Sequence, residues 1–82
     1  MGTVETKTHE IPCVYASNMP PEVLALSLQN VSFADAARIF SDANETSTIT
    51  VHIGNVTKTY VGFTKLGMIR QSFNGLEVGL QK

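Results

Sequence analysis

The stretch VSFADAARIFSDANETSTITVHIGNV, Val31–Val56, constrains the fold most, because within it the apolar period changes from helical to strand-like. Phe33, Ala36, Ala37 and Phe40 fall at i, i+3, i+4 and i+7, with Ile39 flanking them, which is one apolar stripe on a helix. Ser32 stands where an N-cap belongs, and Asp35 occupies the capping-box position three residues later. Asp35 also favours the positive end of the helix. Val31 and Ala36 can form a small hydrophobic staple across the entry. Asp35, Arg38 and Asp42 lie on the polar side, where Arg38 can pair with either acid. The spacing predicts a helix over about 33–42. A helix of about three turns is marginal alone, so its stripe must be buried. The two alanines let its backbone approach a sheet closely, and Phe40 is expected in the core.

The partner of that stripe is an antiparallel sheet. In TITVHI, Ile49, Val51 and Ile53 alternate with Thr48, Thr50 and His52. Gly54-Asn55 suits a tight reversal of the II′ kind, and TKTYVGF continues as a strand whose register is open by about one residue. Gly62 and Gly67 mark bulges or a bend. Asn74-Gly75 is the strongest hairpin signal. A two-residue turn there pairs Phe73 with Leu76 and Ile69 with Leu80, placing Phe73, Ile69, Leu76, Val78 and Leu80 on one face. Upstream, Val23–Gln29 carries Leu24, Leu26 and Leu28 on one face and is read as a strand, although periodicity alone leaves a helix open. ASNMPPE, residues 16–22, is turn material. Thr3–Tyr15 favours extended structure, but Pro12 removes a ladder donor and argues for an edge. The expected fold is α+β: a mostly antiparallel sheet of about five to six strands with one short helix, about 33–42, packed on one face. The domain is single, 1–82, with residues 1–21 either a flexible arm or an edge strand.

Composition excludes several classes of function. Eighty-two residues make one domain with one modest core. A hydrophobic share of 43% with 16% charged residues fits a folded chain rather than a disordered one. The formal charge is −1 and the basic residues are scattered, so the footprint of a nucleic-acid binder is missing. A single cysteine, Cys13, forms no disulfide framework and no multi-cysteine zinc site, and it is compatible with a reducing compartment. No apolar run is long enough to span a membrane, and the polar start MGTVETKTHE is not a secretory apolar region. Gly2 with Thr6 matches the loose myristoylation pattern. Sequons at Asn30, Asn44 and Asn55 need no glycan to explain them in a chain rich in Ser and Thr. The expected location is cytoplasmic.

No catalytic constellation emerges. His9 and Cys13, four apart, would sit about 13 Å apart along a strand, too far for one metal ion or a Cys–His couple. His52 reads as a lone histidine on a polar strand face, whereas zinc needs convergent ligands. Asp35 and Asp42 are about 10 Å apart along the helix, but Arg38 between them makes a solvated ion-pair face. No Gly-x-Ser-x-Gly elbow occurs, and no glycine leads into a helix as a phosphate loop requires. No cofactor or metal is expected, and the protein is read as no enzyme.

The hairpin surface is more informative. Thr48, Thr50, His52, Thr57, Lys58 and Thr59 form the candidate interaction surface, β-branched and weakly charged. It suits either solvent or another sheet, because an exposed strand edge is a template for pairing. Edge protection is thin, with Pro12 on one candidate edge and Glu77 and Lys82 on the other. The order LSLQNVSFADAARIFSDANETSTITV, TYVGFTKLGMI, GLEVGLQK resembles small proteins encoded in bacterial prophages and related mobile elements. In those, a strand and a short SFxDxAxxFSD-like helix precede strands with a Tyr-x-Gly-aromatic step, here Tyr60 to Phe63. The resemblance covers roughly residues 24–82 and brings no catalytic residues. It implies association with virion or tail-like structures or their assembly, and hence a virion-associated location as the alternative. The expectation is a small non-enzymatic structural or protein-interaction protein, with a protein partner or self-association and neither nucleic acid nor membrane. The alternative is a small-ligand or anion-binding regulatory module with a polar-lined pocket near the helix N-terminus.

Overall fold

Alternating apolar and polar residues set most of the chain as strand, and one short helical stripe interrupts them. The computed structural model describes residues 2–73 and 75–82. In chain order the elements are β1 (Gly2–Glu5), β2 (Glu10–Ser17), β3 (Val23–Leu28), α1 (Phe33–Phe40), β4 (Thr48–Ile53), β5 (Val56–Val61), β6 (Lys65–Ser72) and β7 (Gly75–Gln81). The strands form one sheet in the order β5-β4-β1-β2-β3-β7-β6, with every neighbouring pair antiparallel. This is a mostly antiparallel α+β fold with one short helix, and it has seven strands rather than the expected five to six.

The N-terminal segment accounts for the difference. Residues 1–21 were expected to form a flexible arm or an edge strand, yet β1 and β2 lie in the interior of the sheet. Pro12 is tolerated there for a local reason. Its carbonyl accepts from the Gln29 N–H at 2.9 Å, so its nitrogen points to the same side. That side faces the end of β3, whose strand stops at Leu28. The missing donor therefore costs no ladder bond.

The connection from β5 to β6 shapes the sheet. Only residues 62–64 join these two strands, and they are its opposite edges. Four Cα–Cα steps reach at most about 14 Å, whereas six strand spacings laid flat measure about 29 Å. The sheet must curl until its edges approach, and the overall dimensions of 28 × 27 × 25 Å agree. Bulges between Cys13 and Tyr15 and between Leu66 and Met68 help it bend. The second falls at Gly67, as the sequence suggests. Gly62 takes a φ of +88° at the turn out of β5, a conformation that favours glycine.

The inner face of the curl is the core. Val51, Val4 and Ile11 make one row across β4, β1 and β2, and Leu24, Leu26 and Leu28 pair with Leu80, Val78 and Leu76. All of these are buried. The helix adds Ala36, Ile39 and Phe40 and packs against β6. Ser32 caps it as expected, its Oγ accepting from the Asp35 N–H at 3.1 Å, and Arg38 takes Asp35 as its partner at 3.3 Å. The stripe is shifted, however. The eight-residue helix centres its buried face on Ile39 and Phe40, leaving Phe33 45% exposed.

The pairing of the last hairpin differs from expectation by two residues. Asn74 lies outside the described residues, but Ser72 pairs with Gly75, Gln71 with Leu76 and Ile69 with Val78. Phe73 therefore sits at the tip, fully exposed, and not on the core face. The glycine serves the strand rather than the tip. A Cβ on Gly75, whose φ is +143°, would collide with the Leu28 carbonyl oxygen of the neighbouring strand.

The β1–β2 turn is held by an acid from beyond the helix. Glu45 Oε1 accepts from Thr6 Oγ1 at 2.7 Å and from the Thr8 N–H at 3.1 Å, and Thr8 Oγ1 donates to its other oxygen. His9 Nδ1 lies 3.1 Å from Glu45 Oε1. These bonds, from Thr8, Thr6 and His9 in that order, lower the Glu45 carboxyl to about 2. A depressed carboxylate stabilises the fold above its unfolded pKa, and the contribution is lost as pH falls toward the folded value.

Two predictions follow from this packing. Phe40→Ala, at a fully buried site, loses about 3–5 kcal/mol in urea unfolding, while Phe33→Ala loses far less; equal losses would place Phe33 in the core. Glu45→Gln is less stable than wild type at pH 7, and the gap narrows from about pH 4.5 to about pH 2. A gap constant over that range would remove the carboxylate from the turn's stability.

Candidate functional site

The β4–β5 hairpin brings most of the predicted surface together. Thr48, Thr50 and His52 pair with Val61, Thr59 and Thr57, so Thr48, Thr50, His52, Thr57 and Thr59 share the outer face. Lys58 does not join them. It pairs with Val51 and therefore lies on the inner side of β5. On the outer face Thr50 Oγ1 and Thr59 Oγ1 are 3.3 Å apart. His52 Nδ1 lies 3.0 Å from Thr57 Oγ1, and its Nε2 lies 2.6 Å from Glu5 Oε1. This ladder ties β1, β4 and β5 across their polar side. Glu5 was not anticipated, since its place beside β4 depends on strand order, which alternation does not encode.

Glu5–His52–Thr57 has the connectivity of an acid–base–nucleophile relay, using the two ring nitrogens separately. Its setting is that of a solvated ladder: His52 and Glu5 side chains are 40% and 43% exposed, and the cleft described below opens on the opposite face of β5. Thr8–His9–Glu45 lacks even the connectivity, because hydroxyl and carboxylate meet the same nitrogen, Nδ1. The Cys13 thiol is fully buried and lies 3.2 Å from the Tyr15 carbonyl. Burial pushes its pKa up, away from a reactive thiolate. Among the described residues no group of three or more His, Cys, Asp or Glu side chains is placed to hold a metal ion, and no helix is long and apolar enough to cross a membrane.

A cleft of about 250 Å³ lies where β2 faces the β4–β5 hairpin, walled by Val14, Ala16, Ile53 and Val56, with Tyr15, Lys58 and Tyr60 among its lining. It sits toward the Gly54–Asn55 end of the hairpin, away from the helix N-terminus where a pocket was expected. Lys58 has no carboxylate partner among the described residues.

The two edges of the sheet are unequally protected. β6 carries the bulge at Gly67 and the charges Lys65 and Arg70, and α1 packs against it. Those are common means of blunting an edge. β5 has no proline and no bulge, its one charge is Lys58, and five of its six residues are exposed. The strands expected at the edges, those of Pro12 and of Glu77, are interior instead.

Hydrogen-bond parity shows which backbone groups of β5 are free. The two-residue turn at Gly54–Asn55 makes Ile53 and Val56 a hydrogen-bonded pair. The same parity recurs at the far end, where the Gly62 N–H donates to the Ser47 carbonyl at 3.2 Å. Val56, Lys58 and Tyr60 thus point their N–H and C=O groups toward β4. Those of Thr57, Thr59 and Val61 point away from the sheet. No protein-family model matches this chain, and neither does any curated protein or solved structure.

Proposed function

We propose that this protein is a small non-enzymatic interaction or structural module that works through protein–protein contacts, with the free edge of β5 as its docking element. The observation that carries this reading is the contrast between the edges. β6 is bulged, carries two charges and is packed by the helix, while β5 has the single inward charge of Lys58, no bulge and no covering helix, and offers three outward residues, Thr57, Thr59 and Val61, for strand addition. The outer threonines support it, because β-branched side chains pack well on an extended sheet. The prophage resemblance of residues 24–82 would put the partner in a virion or tail-like assembly, and the protein in the cytoplasm or in the particle.

Proline tests the edge selectively. Thr59→Pro removes a donor that points away from β4, so the ladder survives and the edge is blocked. Lys58→Pro removes a ladder donor and should unfold the hairpin. Thr59→Pro is expected to keep the wild-type circular dichroism spectrum while abolishing every complex that wild type forms in light scattering or partner pull-down. Complexes that persist in folded Thr59→Pro would contradict the reading.

A further inference from the structure

We infer that the strand received by β5 is β5 of a second copy, paired antiparallel about a two-fold axis at Thr59. This rests on the reading of the β5 edge above and adds to it an occupant and a register. An antiparallel partner must set its own outward groups opposite Thr57, Thr59 and Val61, and a second β5 has outward groups at the same spacing.

Three symmetric registers set at least two of these outward residues opposite one another, and side-chain chemistry separates them. Centring on residue 58 sets Lys58 against Lys58, a direct like-charge opposition, and leaves Val61 facing the turn residue Asn55. Centring on residue 60 sets Thr57 against Phe63, which is buried and lies beyond the end of the strand. Centring on residue 59 pairs every outward residue: Thr57 with Val61, Thr59 with Thr59, and Val61 with Thr57. About six backbone hydrogen bonds then form. The outer face gains a Thr–Thr pair and two Thr–Val pairs, covering a Val61 that is 63% exposed in the single chain. On the inner face each Lys58 comes opposite Tyr60 of the other copy, a cation beside an aromatic ring. Lys58 has no carboxylate partner within the described chain, and β5 has no acid of its own. The edge complements itself in charge, shape and hydrogen-bond parity, and the contact is isologous, as in most small homodimers.

Engineered cysteines test the register in the full chain, because Cys13 is buried and stays out of the chemistry. Directly opposed residues lie within disulfide reach, while diagonal neighbours two residues off, about 7–8 Å apart, do not. With oxidised glutathione, Thr59→Cys should cross-link to itself, and Lys58→Cys should cross-link to Tyr60→Cys but not to itself. Wild type should approach twice the monomer mass as concentration rises. Self-cross-linking of Lys58→Cys without that of Thr59→Cys would overturn the register. A wild type monomeric at every concentration, with a Thr59→Pro-sensitive foreign partner, would overturn the second copy and leave the edge reading standing. A dimer that survives in Thr59→Pro and yields no cross-link at position 59 would overturn both.

Discussion

Three residues between Val61 and Lys65 govern this molecule. They join the two outermost strands of a seven-stranded sheet, and a chain that short cannot cross a flat sheet of that width. The curl follows, and with it a concave face that one layer of side chains from β1, β2, β3, β4 and β7 can fill. The helix contributes a second, smaller layer, with Phe40 fully buried against the strands. Its two turns suffice because the curled sheet supplies most of the enclosure.

The same connection leaves the two edges in different surroundings. β6 leads into the hairpin with β7 and lies beneath α1, whereas β5 keeps β4 as its one paired neighbour. Backbone groups on the free side of β5 are left to water or to a partner. The polar ladder from Glu5 through His52 to Thr57 holds β1, β4 and β5 in line, so the edge is presented by an ordered strand. An ordered edge lowers the entropy lost when a second strand is added.

Local features of the fold were legible because local physics fixes them. Ser32 caps α1 as its position suggests, Leu24, Leu26 and Leu28 share the buried face of β3, and Gly54–Asn55 turns the hairpin. What failed depended on neighbours distant in sequence. Pro12 signals an edge unless its nitrogen happens to face the end of another strand, as it does beside β3. Asn74-Gly75 signals a turn, but close approach to Leu28 requires Gly75 in the strand, which slides the pairing by two residues and exposes Phe73. The candidate surface was nearly whole in the sequence, since alternation groups Thr48, Thr50 and His52. Lys58 falls on the other face because alternation along β5 sets it opposite its neighbours Thr57 and Thr59, while the hairpin register decides which amides of β5 are free.

Amide hydrogen exchange of β5, resolved residue by residue by NMR at two protein concentrations, tests the central claim most directly. In dilute solution the Thr57, Thr59 and Val61 amides should exchange rapidly while Lys58 and Tyr60, bonded to β4, are protected. In concentrated solution the first three should become protected as well. Thr59 protection equal to that of Lys58 in dilute solution, or rapid exchange at Thr59 in concentrated solution, would contradict a free edge that closes on association.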